Sequence, residues 1–299
     1  MTKTIKADSY DIITNNLINM MQNMLDSGKS WDSPFASGKR GTAINKDGLA
    51  YNGINSLILN LVVSCLGFEY NQFMTFKQAS ALGGSVRKGS KGFAICRYGV
   101  VVKNEGQTDE TRIPFLKHFT VFNVAQIDNL PDSFYQKPLQ SDKEDSSLSR
   151  LDHVDSVITP YIASLSGGLH TDTSAYYRPS TDSVHMPVIE AFNDIESYYG
   201  VLLHELSHST GAKTRLNRDF SGRFGSSSYA FEELIAEISA SFICNDLGIN
   251  NYKLDSNHAC YLNSWIQVLK SDKKAIFKAA SEAKKACHLV QGIKVTEAA

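Results

Sequence analysis

Tyr198-Tyr199-Gly200-Val201-Leu202-Leu203-His204-Glu205-Leu206-Ser207-His208-Ser209 has apolar residues at helical spacing and two histidines four positions apart. Residues i and i+4 lie on one face of a helix, so His204 and His208 can offer imidazole nitrogens to a single ion. Glu205 sits next to that face, within reach of a water on the ion, where a carboxylate serves as general base. Two histidines under-coordinate a metal, and the next acidic run offers further donors. Glu232-Glu233-Leu234-Ile235-Ala236-Glu237 begins a helix that continues through Ile238, Phe242 and Ile243. Carboxylates embedded in an apolar helix are costly unless a cation or hydrogen bonds compensate them. Glu233 is read as the third ligand, with Glu232 as the alternative. Glu237, one turn on, is read as the acceptor for the free N–H of a ligating histidine. Two imidazoles and a carboxylate suit one divalent ion, zinc first, with manganese, iron and cobalt also accommodated.

Ahead of this helix, Ala175–Arg178 and Val184–Pro187 read as two extended segments around the turn Pro179-Ser180-Thr181-Asp182. Either Tyr176–Arg178 or Val184–Met186 is expected to be a sheet edge that could hold an extended peptide by strand addition, and His185 reads as a surface histidine. A helix near 151–165 opens this half, and three or four helices close it. Residues 131–150, PDSFYQKPLQSDKEDSSLSR, read as a linker. Upstream, Ile13, Leu17, Met20, Met21 and Met24 mark a helix over 8–27, capped by Asp8 or Ser9. Asn55 or Ser56 is expected to cap a helix running to Leu66, and Thr75 a short one to Leu82. The periodicity then becomes extended, with Gly92–Lys103 and Arg112–Val124 reading as a long hairpin. The expected fold class is α/β (α+β) in two domains, 1–130 and 151–299, joined by 131–150.

The 299 residues carry a formal net charge of -1, which conceals an asymmetry: residues 1–130 hold 14 Lys and Arg against 10 Asp and Glu. A basic N-terminal half hints at an anionic partner. The five cysteines, Cys65, Cys96, Cys244, Cys260 and Cys287, include no C-x-x-C pair and several lie in apolar runs, as expected of buried thiols in a reducing compartment. No apolar run is long enough to span a membrane, and the first residues have no secretion-signal core. The expectation is a cytoplasmic protein with no membrane partner.

Aromatic and basic residues interleave in the N-terminal half. Trp31 and Phe35 precede Lys39 and Arg40, Tyr51 follows Lys46, and Arg87-Lys88-Gly89-Ser90-Lys91-Gly92-Phe93 leads toward Arg97. Single-stranded nucleic acid is held by cations for its phosphates and aromatic faces for its bases. Trp31, Lys39, Arg40, Tyr51, Arg87, Lys88, Lys91 and Arg97 are therefore the candidate DNA contacts. Trp31-x-x-Pro34-Phe35, Tyr51-Asn52-Gly53-Ile54-Asn55, Thr75-Phe76-Lys77-Gln78-Ala79, Leu82-Gly83-Gly84-Ser85-Val86-Arg87-Lys88-Gly89 and Val121-Phe122-Asn123-Val124-x-Gln126 are similar to the N-terminal single-stranded-DNA-binding domain of ArdC-type antirestriction proteins. The run from Tyr198 through HELSHSTG, Arg215-Leu216-Asn217-Arg218 and EELIAE resembles the zincin-type peptidase domain of the same family. The resemblance implies metal ligands at His204, His208 and Glu233 and a catalytic glutamate at Glu205. It also implies a plasmid-borne protein that binds single-stranded DNA and protects incoming DNA from host restriction endonucleases during conjugation. The competing reading is a metallopeptidase acting on a protein substrate, its N-terminal half recognising protein or serving a primase or relaxase.

Overall fold

A computed structural model of the protein describes residues 8–26, 42–103, 111–135, 149–223, 225–249 and 258–294. Three of the expected DNA contacts, Trp31, Lys39 and Arg40, and most of the expected linker lie outside these residues. Helix α1 (Ser9–Asp26) starts where Asp8 Oδ1 accepts the Asp11 N–H at 2.8 Å, and it buries Ile13, Leu17, Ile18 and Met21. Helix α2 (Gly53–Leu66) is apolar nearly all round and almost wholly buried. Its start differs from expectation. Asn55 does not cap it: the side chain accepts the Cys96 N–H at 2.9 Å and donates to the Cys96 carbonyl at 2.7 Å. An asparagine amide carries a donor and an acceptor in the spacing of a peptide group, so here it satisfies the outer edge of a buried stretch of strand instead of a helix end.

Strand β1 (Phe73–Thr75) runs into helix α3 (Phe76–Ala81), which Thr75 and Gln78 close with a reciprocal capping box. Strand β2 (Ser85–Val86) follows. Strands β3 (Phe93–Lys103) and β4 (Thr111–Asn123) form the expected hairpin, and β1 pairs with the far side of β4 in an antiparallel sheet ordered β1-β4-β3. The short β5 (Ile127–Asp128) pairs with β2.

Beyond residue 149, helix α4 (Asp152–Ile162) leads to a second sheet of β6 (Gly168–Thr171), β7 (Tyr176–Arg178) and β8 (Ser183–Met186). Its order is β6-β8-β7, with β6 parallel and β7 antiparallel to β8. β8 is therefore central and fully buried, which leaves Tyr176–Arg178 as the edge of the two segments considered. Helices α5 (Ile195–Ser209), α6 (Ser227–Asp246), α7 (His258–Ser271) and α8 (Ala275–Val290) complete the chain. α6 packs against α5, α7 and α8 and buries residues around its whole circumference.

One apolar cluster runs through both halves, from Ile13, Leu57 and Ile95 to Leu203, Ile238, Trp265 and Ile276. α1 lies against α7 and α8: Tyr10 meets Phe277 edge-on at 4.8 Å, Thr14 Oγ1 donates to the Lys273 carbonyl at 2.7 Å, and Lys273 reaches Asp8 and Asp11. The exposed ion pairs contribute little by themselves; shared apolar burial joins the two parts. Of the five cysteines, Cys96, Cys244 and Cys287 are buried and Cys65 is half-buried, all as free thiols. Burial pushes Cys65 and Cys287 up to about 12 and Cys96 to about 11, so these thiols are protonated packing groups.

Candidate metal centre

α5 is oriented by Asp194, whose carboxylate caps it on Ser197 N–H at 2.6 Å, and by the buried Tyr198, Tyr199, Leu202, Leu203 and Leu206. Those residues take the core side and leave His204 and His208 on the side facing α6. There Glu232, Glu233 and Glu237 are buried, not an exposed acidic stripe. The structure brings His204, His208 and Glu233 together: one donor atom from each lies within 4.8 Å of the others, and no other such group of metal-binding side chains occurs among the described residues.

Each imidazole has a carboxylate at its Nδ1. Glu232 Oε1 is 3.2 Å from His208 Nδ1, and Glu237 Oε2 is 3.6 Å from His204 Nδ1, beyond hydrogen-bond length. Carboxylates at these positions favour a hydrogen on both Nδ1 atoms. The two Nε2 atoms then carry lone pairs, yet they face each other at 3.1 Å, with Glu233 oxygens 3.6 Å from each. Such an arrangement is repulsive unless positive charge lies among the three atoms. A tetrahedral ion with bonds of about 2.0–2.1 Å separates its donors by about 3.3–3.4 Å, close to these spacings. The electrostatics agree. Burial works to lower both imidazole pKa values, but the surrounding glutamates win and raise them, His204 well above its ordinary value. Burial works to raise Glu233, and the His208 and His204 charges bring it down to about 2. The pocket favours positive charge, and its donors fit a divalent ion.

Glu205 is 9% exposed, and its charge acts on both imidazoles. Glu232, the alternative ligand in the sequence reading, is otherwise engaged. Besides facing His208 Nδ1, it accepts two hydrogen bonds from Arg218, Nε and Nη2 each at 2.8 Å. Arg218 also donates to Ser207 O and Thr210 Oγ1, tying the loop after α5 to α6. Arg218 and Tyr229 belong to the family motif, but the sequence assigned neither a role; Tyr229, one turn earlier in α6, helps to hold the Glu233 carboxyl down. Tyr229 could have been found from its i, i+4 spacing to Glu233; Arg218 lies in a loop where no periodicity points to a partner.

The edge strand β7 is pinned beside α5 by Asp182. Its carboxylate accepts from Arg215, from Tyr177 Oη at 2.9 Å and from Ser166 N–H at 3.0 Å, while Arg215 Nε donates to Ser209 O at 2.9 Å. Burial works to raise the Asp182 pKa, but these donors bring it down to about 2. A carboxylate depressed on folding stabilises above its unfolded pKa and loses that contribution as pH falls through the folded value. Asp182→Asn keeps a residue that tolerates the left-handed backbone there, φ 51°. Its deficit in thermal midpoint relative to the parent should be full above about 3.8 and should close as pH approaches about 2. A deficit independent of pH would remove Asp182 ionisation as the cause. His185, expected at the surface, is buried in β8. It hydrogen-bonds to Ser183 Oγ at 3.0 Å, and its ring is covered by the neighbouring strands' side chains, stacking on Tyr176 at 4.4 Å and on His170 at 5.2 Å.

The remaining candidate DNA contacts sit in the N-terminal half. Tyr51 is half-buried against the core, and burial pushes its pKa up to about 12. Arg87 pairs with Asp128 at 2.9 Å and lines a cleft of about 690 Å³ with Phe68, Tyr70 and Tyr135. Lys88 and Lys91 are exposed on the loop between β2 and β3, and Arg97 is exposed on β3. No helix among the described residues is long and apolar enough to cross a membrane.

Comparison with known proteins agrees with this architecture. Residues 7–122 match the N-terminal domain of anti-restriction factor ArdC, and residues 152–282 match a zincin-like metallopeptidase family. The uncharacterized protein y4eC of Sinorhizobium fredii is 37% identical over 243 residues, covering 78% of this chain and 75% of that protein. The DNA primase TraC of Escherichia coli is 36% identical over 277 residues, 85% of this chain but only 24% of the primase. The metal-free crystal structure of the antirestriction ArdC protein from plasmid R388 superimposes with a TM-score of 0.73 at 36% identity, covering 96% of this chain and 98% of that one. The Mn(II)-bound structure of that protein does so with a TM-score of 0.72 at 35% identity, covering 97% and 100%. With an ArdC-type N-terminal domain, a zincin-like domain around His204, His208 and Glu233, and this similarity along nearly its whole length, the chain belongs to the ArdC antirestriction family.

Proposed function

We propose that this protein binds single-stranded DNA through residues 1–130 and shields incoming DNA from host restriction endonucleases during conjugation, acting in the cytoplasm. Residues 151–299 form a metal-dependent peptidase domain, joined to the first through 131–150. The observation that carries the reading is the pairing, in one chain, of a basic ArdC-type N-terminal domain with a buried three-donor site that has Glu205 beside it. The ion is zinc, with manganese the nearest alternative; the related R388 protein has been crystallised with Mn(II). His204, His208 and Glu233 would hold a divalent ion, which when bound would supply Lewis-acid polarisation of a peptide carbonyl and acidify water. Glu205, buried beside both imidazoles, would serve as the base that accepts a proton from water and returns it to a leaving amine. Glu232 and Glu237 hold the imidazoles in the ligating tautomer. β7 is an edge of its sheet, along which an extended peptide can align, and the peptide belongs to a protein met on the DNA.

The test of the DNA half is fluorescence anisotropy with labelled single-stranded DNA at several salt concentrations. The intact protein is used, because α1 and α2 share their core with α7 and α8. Neutralised phosphates release counterions, so log affinity should fall linearly with log salt, by about 0.7 for each phosphate contacted. Affinity indifferent to salt would overturn the electrostatic account, and no binding would remove the DNA reading. A second reading, an accessory module serving a primase, is favoured by the match to TraC; it predicts binding to a primase with no need for DNA.

A further inference from the structure

Past Cys96 the hairpin of β3 and β4 is exposed, at Tyr98, Val100 and Val101 on one strand and Ile113 and Phe119 on the other. Directly opposed residues of an antiparallel pair share a face, as do residues two apart on one strand. The register sets Arg97 opposite Lys117, Gly99 opposite Phe115, Ile95 opposite Phe119 and Val101 opposite Ile113. One face of the ribbon therefore carries Arg97, Lys117, Phe115 and Phe119 in succession. Arg97, Lys117 and Phe119 are exposed and Phe115 is half-buried. Lys117 lies over the Phe115 ring, 5.1 Å from its centroid. That ring covers Gly99 closely: a Cβ on Gly99 would come within 2.4 Å of it.

Two features of this face call for an anionic, aromatic occupant. Like charges directly opposite one another destabilise a sheet, yet Arg97 faces Lys117 and no carboxylate among the described residues pairs with either. Residues 93–103 and 111–123 contain Arg97, Lys103, Arg112 and Lys117 and no Asp or Glu. A second feature is the apolar surface left open beside those cations, with Val101, Ile113 and Phe119 all exposed. A second copy of the chain laid on this face would bring the same cations together and be repelled. Duplex DNA offers phosphates but keeps its base faces stacked. Single-stranded DNA supplies phosphates for the cations and unstacked bases for the rings.

We propose that this ribbon face holds the DNA strand, with Phe115 and Phe119 stacking on bases and Arg97 and Lys117 binding the phosphates between them. The assignment rests on the reading that the N-terminal half binds single-stranded DNA, and the test separates the two. Anisotropy titrations compare a labelled single-stranded oligonucleotide with an abasic oligomer of the same length, using intact parent protein and the variants Phe115→Leu, Phe119→Leu, Lys117→Gln and Gly99→Ala. Leucine keeps the apolar cover and removes the stacking face; Gly99→Ala displaces the Phe115 ring without changing a polar group. The thermal midpoint of each variant checks folding.

Loss of one ring is expected to weaken oligonucleotide binding about tenfold, with abasic affinity unchanged, because stacking on an aromatic side chain is worth roughly that much per base. Lys117→Gln should reduce the salt slope by about 0.7. Parent-like binding by all the variants would overturn the ribbon assignment and leave the DNA reading standing. No binding by the parent would remove both. Variants that alter self-association in sedimentation but not DNA affinity would overturn the assignment in favour of a contact between copies.

Discussion

Glu205→Gln should keep the divalent ion and lower peptide hydrolysis by about 10²–10⁴-fold, the usual worth of a positioned general base. Glutamine matches glutamate in size, and Glu205 is absent from the cluster of converging donors, which consists of His204, His208 and Glu233. Metal content by elemental analysis and thermal stabilisation by added zinc or manganese should therefore match the parent. Only the acceptance of a proton from water is lost. Hydrolysis at parental rate by the variant would move the base elsewhere; loss of metal together with activity would mean that Glu205 also ligates. The same variant separates the two halves: restriction protection that survives it untouched would come from DNA occupancy alone.

The second large effect is expected at Glu233. Glu233→Ala removes one of three converging donors and leaves two imidazoles whose Nε2 atoms sit 3.1 Å apart. Metal affinity should fall by several orders of magnitude, and metal-dependent stabilisation should vanish. In the parent, an ion at a thousand times its dissociation constant adds about 4 kcal/mol to stability, a clear shift in thermal midpoint. Glu232→Gln provides the graded comparison. It leaves the three donors in place but weakens the acceptor at His208 Nδ1 and the pairing with Arg218. Groups that orient a ligating histidine in this way typically contribute 10–100-fold in metal affinity. If Glu232→Gln lost metal as completely as Glu233→Ala, the ligand assignment would pass to Glu232.

Most of this site could be read from local periodicity. His204, Glu205 and His208 lie on one helix, so spacing alone put both imidazoles on one face. Acidic residues in an apolar run pointed to the glutamates of α6 for an equally local reason, that buried charge needs compensation. The choice between Glu233 and Glu232 depended on how α6 rotates against α5, which depends on packing. The structure turns Glu233 toward both Nε2 atoms and gives Glu232 to Arg218. Arg218 and Arg215 were invisible as partners for the same reason: each clips a carboxylate distant in sequence, and loop residues carry no period. Asn55 shows the opposite error, a local rule overruled, since a competent cap residue was needed to satisfy the edge of β3.

The sequence by itself determined the mixed helix-and-sheet class, the hairpin of β3 and β4, the helix that sets His204 and His208 on one face and the family, because each of these is written in short-range spacing or in contiguous motifs. The tertiary structure decided between Glu233, the expected ligand, and Glu232, its alternative, as well as which strand is an edge and that α1 and α2 share one core with α7 and α8. Those outcomes depend on contacts between elements far apart in the chain, whose geometry is set by how buried surfaces fit together.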